Sequence, residues 1–342
     1  MKEYILTEPY KIDVREMPIP EPGEGEVLIK ISNVGICGSD IHLYNGTYSG
    51  PNSYPILFGH EWSGTVVKKG CKVTKVEVGD KVTGDCSRYC GHCVNCKRDK
   101  NLCKEIEKFG ITIDGASSEY IVRDEKYIYK APSDINMKLL ALTEPISVAR
   151  HLIVKMIRQT GTLREKKILI YGGGAIGQAA LLILKHEFGC DDVYLSDLIP
   201  YRMELSEKFG GKKPEPEELK WTYENSYFNM YNKTPFDVVI ETTGVAGVFA
   251  NALNLVRPGG ILGCVGMISS VEIPQKLIVT KAMTIIGSIG GTEEFDDVIR
   301  FIHSNEELVK NMVSHEVSCD NIPEAFEHAS NPQDAMKVSI VF

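Results

Sequence analysis

The run KKILIYGGGAIGQAALLILKHEFG at residues 166–189 limits the fold more than any other part of the chain. Residues 168–171 are a short apolar run of buried-strand type. Gly172, Gly174 and Gly177 then form G-x-G-x-x-G, and an apolar helical pattern follows. A second strand-like run, DVYLSD, ends at Asp197, 20 residues after Gly177. In this strand–turn–helix–strand setting each glycine has a task. The first permits a tight turn, the second lets a pyrophosphate approach the backbone, and the third lets helix and strand pack. Ala175 and Ile176 open the helix, whose unpaired N–H groups attract phosphate. Asp197 can accept both ribose hydroxyls and repel a 2′-phosphate, which favours NAD over NADP. Without that acid, the glycines can be a bare packing device. Arg202 can stack on adenine or be a surface helix charge.

Further strand-like runs at 236–244, 257–266 and 282–291 end in Thr243, Gly266 and Gly290. The 257–266 stretch reads as a turn followed by a strand. Strands separated by helical segments build a parallel sheet. Ligands lie at the carboxyl ends of such strands, so these three residues are cofactor candidates. The polar segment 210–235, with prolines near both ends, reads as a loop and helix on the rim.

The second constraint is GDCSRYCGHCVNCKRDKNLC at residues 84–103, which holds five of the ten cysteines. Cys90, Cys93, Cys96 and Cys103 follow C-x2-C-x2-C-x6-C. Four soft thiolates on one loop close a tetrahedron around zinc and leave no position for substrate, so such a site is structural. Gly91 allows the tight turn this needs. An iron–sulfur cluster, disulfides and a nucleic-acid-binding zinc ribbon are the competing readings. The last spacing departs from the ferredoxin run. The chain carries a formal net charge of -8 with no long basic stretch, against nucleic-acid or anionic-membrane binding. With no signal-peptide pattern at the start and no long apolar run, a reducing cytoplasm is expected, where clustered cysteines bind metal. Cys86 is a spare thiol at the base of the loop, and His92 is expected to be exposed.

Two quieter stretches are GICGSDIH at 35–42 and GHEW at 59–62. Each adjoins a strand-like run. Cys37, His60 and one or two carboxylates can form an open zinc site. Taken singly, Cys37 also reads as a small buried hydrophobe and His60 as a hydrogen-bonded histidine. In the helical stretch 137–157, Glu144 interrupts an apolar face just before Pro145. A carboxylate there needs a cation or metal, unless it lies on the exposed polar face. Pro145 kinks or restarts the helix.

Taken together, G35-I-C-G-S-D-I-H42, G59-H-E61, the four-cysteine loop, E144-P-I-S-V148, G172-G-G-A-I-G177 and Asp197 give the chain a full-length resemblance to the medium-chain, zinc-dependent alcohol and polyol dehydrogenases. The E-P-x-S-V form is most similar to sorbitol and related sugar dehydrogenases. The resemblance implies an α/β protein, with a GroES-like β-rich catalytic domain over 1–147 completed by 287–342. A Rossmann NAD-binding domain over 148–286 and a catalytic zinc in the cleft between them are also implied. It implies two zinc ions per chain and NAD. Cys37, His60, Glu61 and Glu144 match the catalytic-zinc environment, Glu61 as ligand or exchanging acid and Glu144 as ligand or holder of water. Ser39 and His42 match the relay that carries the alcohol proton to solvent, a task an imidazole suits. The implied reaction is hydride transfer from a secondary alcohol of a polyol, cyclitol or sugar derivative to NAD. L-Threonine 3-dehydrogenase and other alcohol dehydrogenases are the alternatives, and a non-enzymatic zinc-stapled binding protein is the reading from another class. A homodimer or homotetramer is expected. One departure stands out. The sorbitol type carries a substrate arginine after the last nucleotide-domain strand, and IIGSIGGT at 285–292 has none. Tyr44, Tyr48 and Arg150 are the candidate substitutes.

Overall fold

Strand Ile168–Tyr171 runs straight into the glycine turn, and helix Ala175–Leu182 leaves it with Gly174 as N-cap. The computed structural model describes residues 1–222 and 226–342. It divides into Met1–Ser147 with Gly290–Phe342 as one unit and Val148–Ile289 as the other.

The second unit is built on a five-stranded sheet. Its order is Val193–Ser196, Ile168–Tyr171, Phe236–Glu241, Val256–Cys264, Thr284–Gly287, all parallel. Strand Ile168–Tyr171 is buried along its length, as its unbroken apolar run requires. Outside Val193–Ser196, Lys212 makes one parallel bridge to Tyr194. The Leu195 N–H donates to the Lys212 carbonyl and the Lys212 N–H to the Val193 carbonyl, each at 2.9 Å. Counting that bridge as a strand, the order becomes the dinucleotide-binding 3-2-1-4-5-6 with its third strand worn down to one residue. The sequence placed only loop and helix in this polar segment, because a single bridge has no periodicity. The segment also holds the short helices Pro216–Leu219 and Tyr227–Lys233, while 223–225 lie outside the described residues. Strand Val256–Cys264 begins before the Pro-Gly-Gly turn rather than after it, and the pairing shifts register between Phe236 and Val238.

The strand order reverses between the sheet's first and third sequential strands, so the crevice opens beside Gly172 and Thr242. Gly172 has φ +99°, a left-handed conformation that side chains resist. A Cβ on Gly177 would overlap the Gly172 carbonyl oxygen, so the third glycine is where helix and turn meet backbone to backbone.

The first unit is β-rich. Its seven-stranded sheet runs Ile128–Lys130, Lys81–Gly84, Glu61–Lys69, Glu26–Gly35, Lys337–Val341, Val313–Ser318, with Tyr120–Asp124 also paired to Glu26–Gly35. A three-stranded sheet of Lys11–Glu16, Lys2–Glu8 and Ile56–Leu57 accompanies it. Between them lies an apolar core that includes Leu6, Ile29, Ile31, Val34, Phe58 and Trp62. The C-terminal strand Lys337–Val341 pairs antiparallel with Glu26–Gly35, so the last residues of the chain complete a sheet begun by the first. The expected helix at 137–157 is two helices, Met137–Leu140 and Thr143–Thr160. Of the two expectations for Pro145 the restart holds, since a new helix begins at Thr143. The proline stands in the first turn of the second helix, where its missing N–H has no partner to lose.

Replacing Gly177 by Ala is expected to destabilise the second unit by about 3 kcal/mol, the upper range for overpacking. Denaturant unfolding checks this, and an unchanged midpoint would show the packing to be slack.

Candidate functional site

Register brings the first constellation together. In the antiparallel pair of Glu26–Gly35 and Glu61–Lys69, Gly35 faces Glu61. Cys37 therefore lies just past one strand and His60 just before the other, at the same end of the sheet. Ser339 faces Gly35 from the other side. That register carries Lys337, at the start of its strand, to the level of Cys37. The ligand atoms of Cys37, His60 and Glu61 all lie within 4.8 Å of one another.

Asp40 fixes this geometry, and the sequence reading did not single it out. Cys37 is the N-cap of helix Gly38–Tyr44, and Asp40 at the third helical position reaches back to it in a capping box. One carboxylate oxygen accepts the Cys37 N–H at 2.9 Å, and the other accepts the Gly59 N–H at 3.2 Å. A single buried carboxylate thus ties the residue bearing the thiol to the residue before the imidazole. Burial raises the Asp40 pKa, against His60 and the two backbone donors, which lower it.

Lys337 was also missed. Its Nζ pairs with both oxygens of Glu61 and donates to the Ile36 carbonyl at 3.2 Å. Glu61 is fully buried and Lys337 5% exposed. Burial disfavours the ammonium, but the charge of Glu61, then of Cys37, outweighs it and holds the Lys337 pKa above its usual range. No local pattern could reveal a pair that lies 276 residues apart.

Asp40, Glu61 and Glu144 bring three buried carboxyl groups beside the Cys37 thiol, and Lys337 is ion-paired to Glu61. Burial depresses the His60 pKa, yet Asp40 and Cys37 overcome it and hold it well above the ordinary value. His60 Nδ1 lies 3.7 Å from Asp40, beyond hydrogen-bond reach, and has no hydrogen-bond partner among the described residues. With Nδ1 turned to Asp40 and the ring bonded to Cys37, the imidazole stands beside a thiol and the Glu61 carboxyl, a donor set that fits a divalent cation. The thiol, imidazole and carboxylate set suits zinc.

Glu144 is buried in the first turn of its helix, so the exposed polar-face alternative falls. It stands outside the 4.8 Å group of Cys37, His60 and Glu61. Burial raises its pKa, opposed by His60 and by a hydrogen bond from the Cys86 thiol. Cys86 is itself buried, its pKa pushed up by burial and then by Glu144. Half-buried Ser39 and exposed His42 are three residues apart on helix Gly38–Tyr44, hence on one face. His42 Nδ1 lies 2.8 Å from the Thr47 hydroxyl. Among the proposed substrate contacts, Arg150 is committed to a bidentate pair with Glu187, and Tyr44 stacks on Phe326 at 4.2 Å. Tyr48 remains. Its pKa is raised by burial, then by the charges of Cys37 and Asp40.

The four-cysteine loop has closed around a point. Its ligand sulfurs lie within 4.8 Å of one another, with Cys90 at 3.8 Å from Cys96 and 3.6 Å from Cys103. Tetrahedral zinc with Zn–S near ~2.3 Å sets sulfurs about 3.8 Å apart, far beyond a disulfide. N–H groups of Cys90, Cys93, Cys96 and Glu105 point at the sulfurs. Backbone donation from Lys104, then Cys96, lowers the Cys93 pKa to about 6, which favours the thiolate a metal needs. His92 is exposed and outside the group.

In the second unit, one Asp197 oxygen accepts the Gly173 N–H at 2.6 Å and the other the Ile199 N–H at 2.8 Å. Each oxygen keeps a further lone pair for a ribose hydroxyl. Arg202 Nη1 stands 3.6 Å from Asp197, so this arginine is not a free surface charge. Glu241, which ends strand Phe236–Glu241, was overlooked. Its carboxylate accepts the N–H groups of Thr243 at 2.6 Å and Gly244 at 3.0 Å, and the Thr243 hydroxyl. Its backbone carbonyl accepts the Gly266 N–H at 3.2 Å. One buried residue thus holds the loops carrying Thr243 and Gly266. Gly290 lies in the first unit, packed on Asn101.

Comparison with known proteins identifies the family. Residues 23–133 match the alcohol dehydrogenase GroES-like domain, and residues 175–304 match the zinc-binding dehydrogenase domain. The chain is 31% identical to an L-threonine 3-dehydrogenase of Alteromonas mediterranea over 92% of each chain. It is 30% identical to sorbitol dehydrogenase of Bacillus subtilis over 96% of this chain and 93% of that one. An alcohol dehydrogenase of E. coli CFT073, solved with NADH, superposes with TM-score 0.87 at 26% identity, covering 100% of this chain and 99% of the other.

Asp40→Asn keeps the shape and removes the charge. Chelator competition is expected to show metal affinity down about 10–100-fold, the usual cost of losing a residue that orients a ligand. Lys337→Met leaves the Glu61 charge buried and unpaired, at a cost of about 3–5 kcal/mol in urea unfolding. The double variant Lys337→Met with Glu61→Gln is expected to recover most of that loss, and equal instability of both would refute the pairing argument.

Proposed function

The chain belongs to the zinc-dependent medium-chain alcohol dehydrogenase family, and from that premise we propose that it oxidises a secondary alcohol of a polyol, cyclitol or sugar derivative with NAD. The carrying observation is the convergence of Cys37, His60 and Glu61, whose ligand atoms lie within 4.8 Å of one another with His60 and Glu61 buried. When bound, zinc lowers the pKa of an alcohol hydroxyl and NAD accepts the hydride. Cys37 and His60 hold the metal, and the carboxylate comes from Glu61, which shares its charge with Lys337, or from Glu144, which binds directly or holds the water. Ser39 takes the alcohol proton and His42 on the same helix face passes it to solvent. Tyr48 is the side chain best placed to meet a substrate hydroxyl. The sulfurs of Cys90, Cys93, Cys96 and Cys103 hold a second, structural zinc.

In the other unit the glycine turn and the N-terminus of helix Ala175–Leu182 take the pyrophosphate, through Gly172, Gly174, Ala175, Ile176 and Gly177. Asp197 accepts the adenosine ribose, Arg202 lies against the adenine side, and Thr243 and Gly266 border the nicotinamide half. A second reading, oxidation of L-threonine at its secondary alcohol, draws on the 31% identical relative. A cytoplasmic homodimer or homotetramer is the family expectation, and no helix among the described residues is long and apolar enough to cross a membrane.

Elemental analysis after dialysis into zinc-free buffer is expected to find two tightly held zinc ions per chain, and a single zinc would leave only the four-cysteine site. A panel of polyols, sugar acids, cyclitols and L-threonine, followed by NADH absorbance, separates the two substrate readings. Asp197→Gly should shift the NAD-to-NADP preference by about tenfold or more, since a like-charge contact costs several kcal/mol. An unchanged ratio would remove Asp197 from the cofactor. His42→Ala is expected to lower kcat up to about 100-fold and to recover with added imidazole. Failure of imidazole to restore any rate would sink the relay.

A further inference from the structure

Apart from the two metal clusters, the first unit brings two imidazoles and a carboxylate together at its surface. His315 lies on Val313–Ser318, the edge strand of the seven-stranded sheet. His328 is in the last turn of helix Ile322–Ser330, and Asp334 is in the loop that follows. One ligand atom from each lies within 4.8 Å of the others. The two rings stack at 4.3 Å between centroids with 21° between planes, so one imidazole has to turn about its side-chain torsions for both lone pairs to meet one ion. Three consecutive pieces of chain thus converge on one point, although nothing in the catalytic constellation requires it.

The hydrogen bonds around His315 decide its tautomer. The Ser314 hydroxyl donates to the Lys337 carbonyl at 3.1 Å. It accepts the Met336 N–H at 2.9 Å. Its one proton being spent, it can only accept from His315 Nδ1, 2.9 Å away. Nδ1 therefore carries the ring proton, and Nε2 presents its lone pair. This is the arrangement of a metal-ligating histidine, whose other nitrogen donates to a neighbouring acceptor. Glu324, one turn before His328, places a carboxylate oxygen 3.6 Å from His328 Nε2 and brings more negative charge to the site.

We propose that His315, His328 and Asp334 form a third metal site, which takes a borderline divalent transition ion such as zinc or nickel. Two imidazoles and one carboxylate suit these ions, whereas magnesium and calcium prefer all-oxygen sets. The half-exposed side chains leave the remaining positions to water, so the ion exchanges with solution more readily than one in the closed four-cysteine site. Because the ligands come from strand, helix and loop, binding clamps the edge strand to the helix beside it. An ion that binds only this folded arrangement also stabilises it by mass action.

The test uses the untagged holoenzyme, with its resident metal left in place. Wild-type, His315→Ala and His328→Ala chains are dialysed against the same buffered free zinc, and bound zinc is measured by elemental analysis. Wild type is expected to hold one more equivalent than either variant, with all three turning over substrate alike at low zinc. Equal zinc content in all three chains across the titration would overturn the proposal. Should an alanine variant misfold, hydrogen exchange of the wild-type chain decides. Added zinc is expected to slow exchange across 313–336, and unchanged exchange there would overturn the site as well.

Discussion

Asp40 joins two loops that would otherwise have no reason to meet. Its carboxylate accepts from the backbone of Cys37 and of Gly59, and so sets the distance between a thiol and an imidazole that lie on different strands. The capping box is local and starts a short helix. The bond to Gly59 is not local and turns that helix start into half of a metal centre. Ser39 and His42 then inherit their positions from the same helix. A cap worth about 1 kcal/mol to an isolated helix serves here mainly to align ligands.

Around that joint the sequence concentrates negative charge where water is scarce. Asp40 and Glu61 are fully buried, and Glu144 nearly so. An uncompensated buried carboxylate is costly enough that it either takes up a proton or finds a cation. Glu61 has found Lys337, brought in by the last strand of the chain. Glu144 takes the weak donor of Cys86, the thiol that had no place in the four-cysteine pattern. Asp40 and Cys37 draw positive charge onto His60. The site is thus arranged around an unfilled demand for charge that zinc meets.

Much of the fold was legible because its signals are local. The glycine turn, its strand and its helix appear where the motif predicts, and the four sulfurs converge because their spacing on one loop permits nothing else. Glu144 was legible as an anomaly, a carboxylate in an apolar stripe. Other features left no periodic trace. The bridge at Lys212 is one residue long, and Glu241 is merely an acid at the end of a strand. Lys337 stands in a C-terminal stretch without a motif. Arg150, a plausible substrate contact from its position alone, is engaged by Glu187, which lies 37 residues on at the end of another helix, a pairing that sequence spacing does not reveal.

By itself the sequence determined the chemistry available: which thiols, imidazoles and carboxylates exist, and which short segments present them in a fixed local geometry. Ligand type and loop spacing are properties of a few neighbouring residues, and they survive any arrangement of the rest. The tertiary structure decided which of those groups are neutralised and which remain free to act. Strand register set Lys337 against Glu61, and the fold of the first unit buried Cys86 beside Glu144 and brought His60 to Cys37. Those outcomes depend on contacts between residues up to 276 positions apart, in surroundings where the loss of water makes each missing partner expensive.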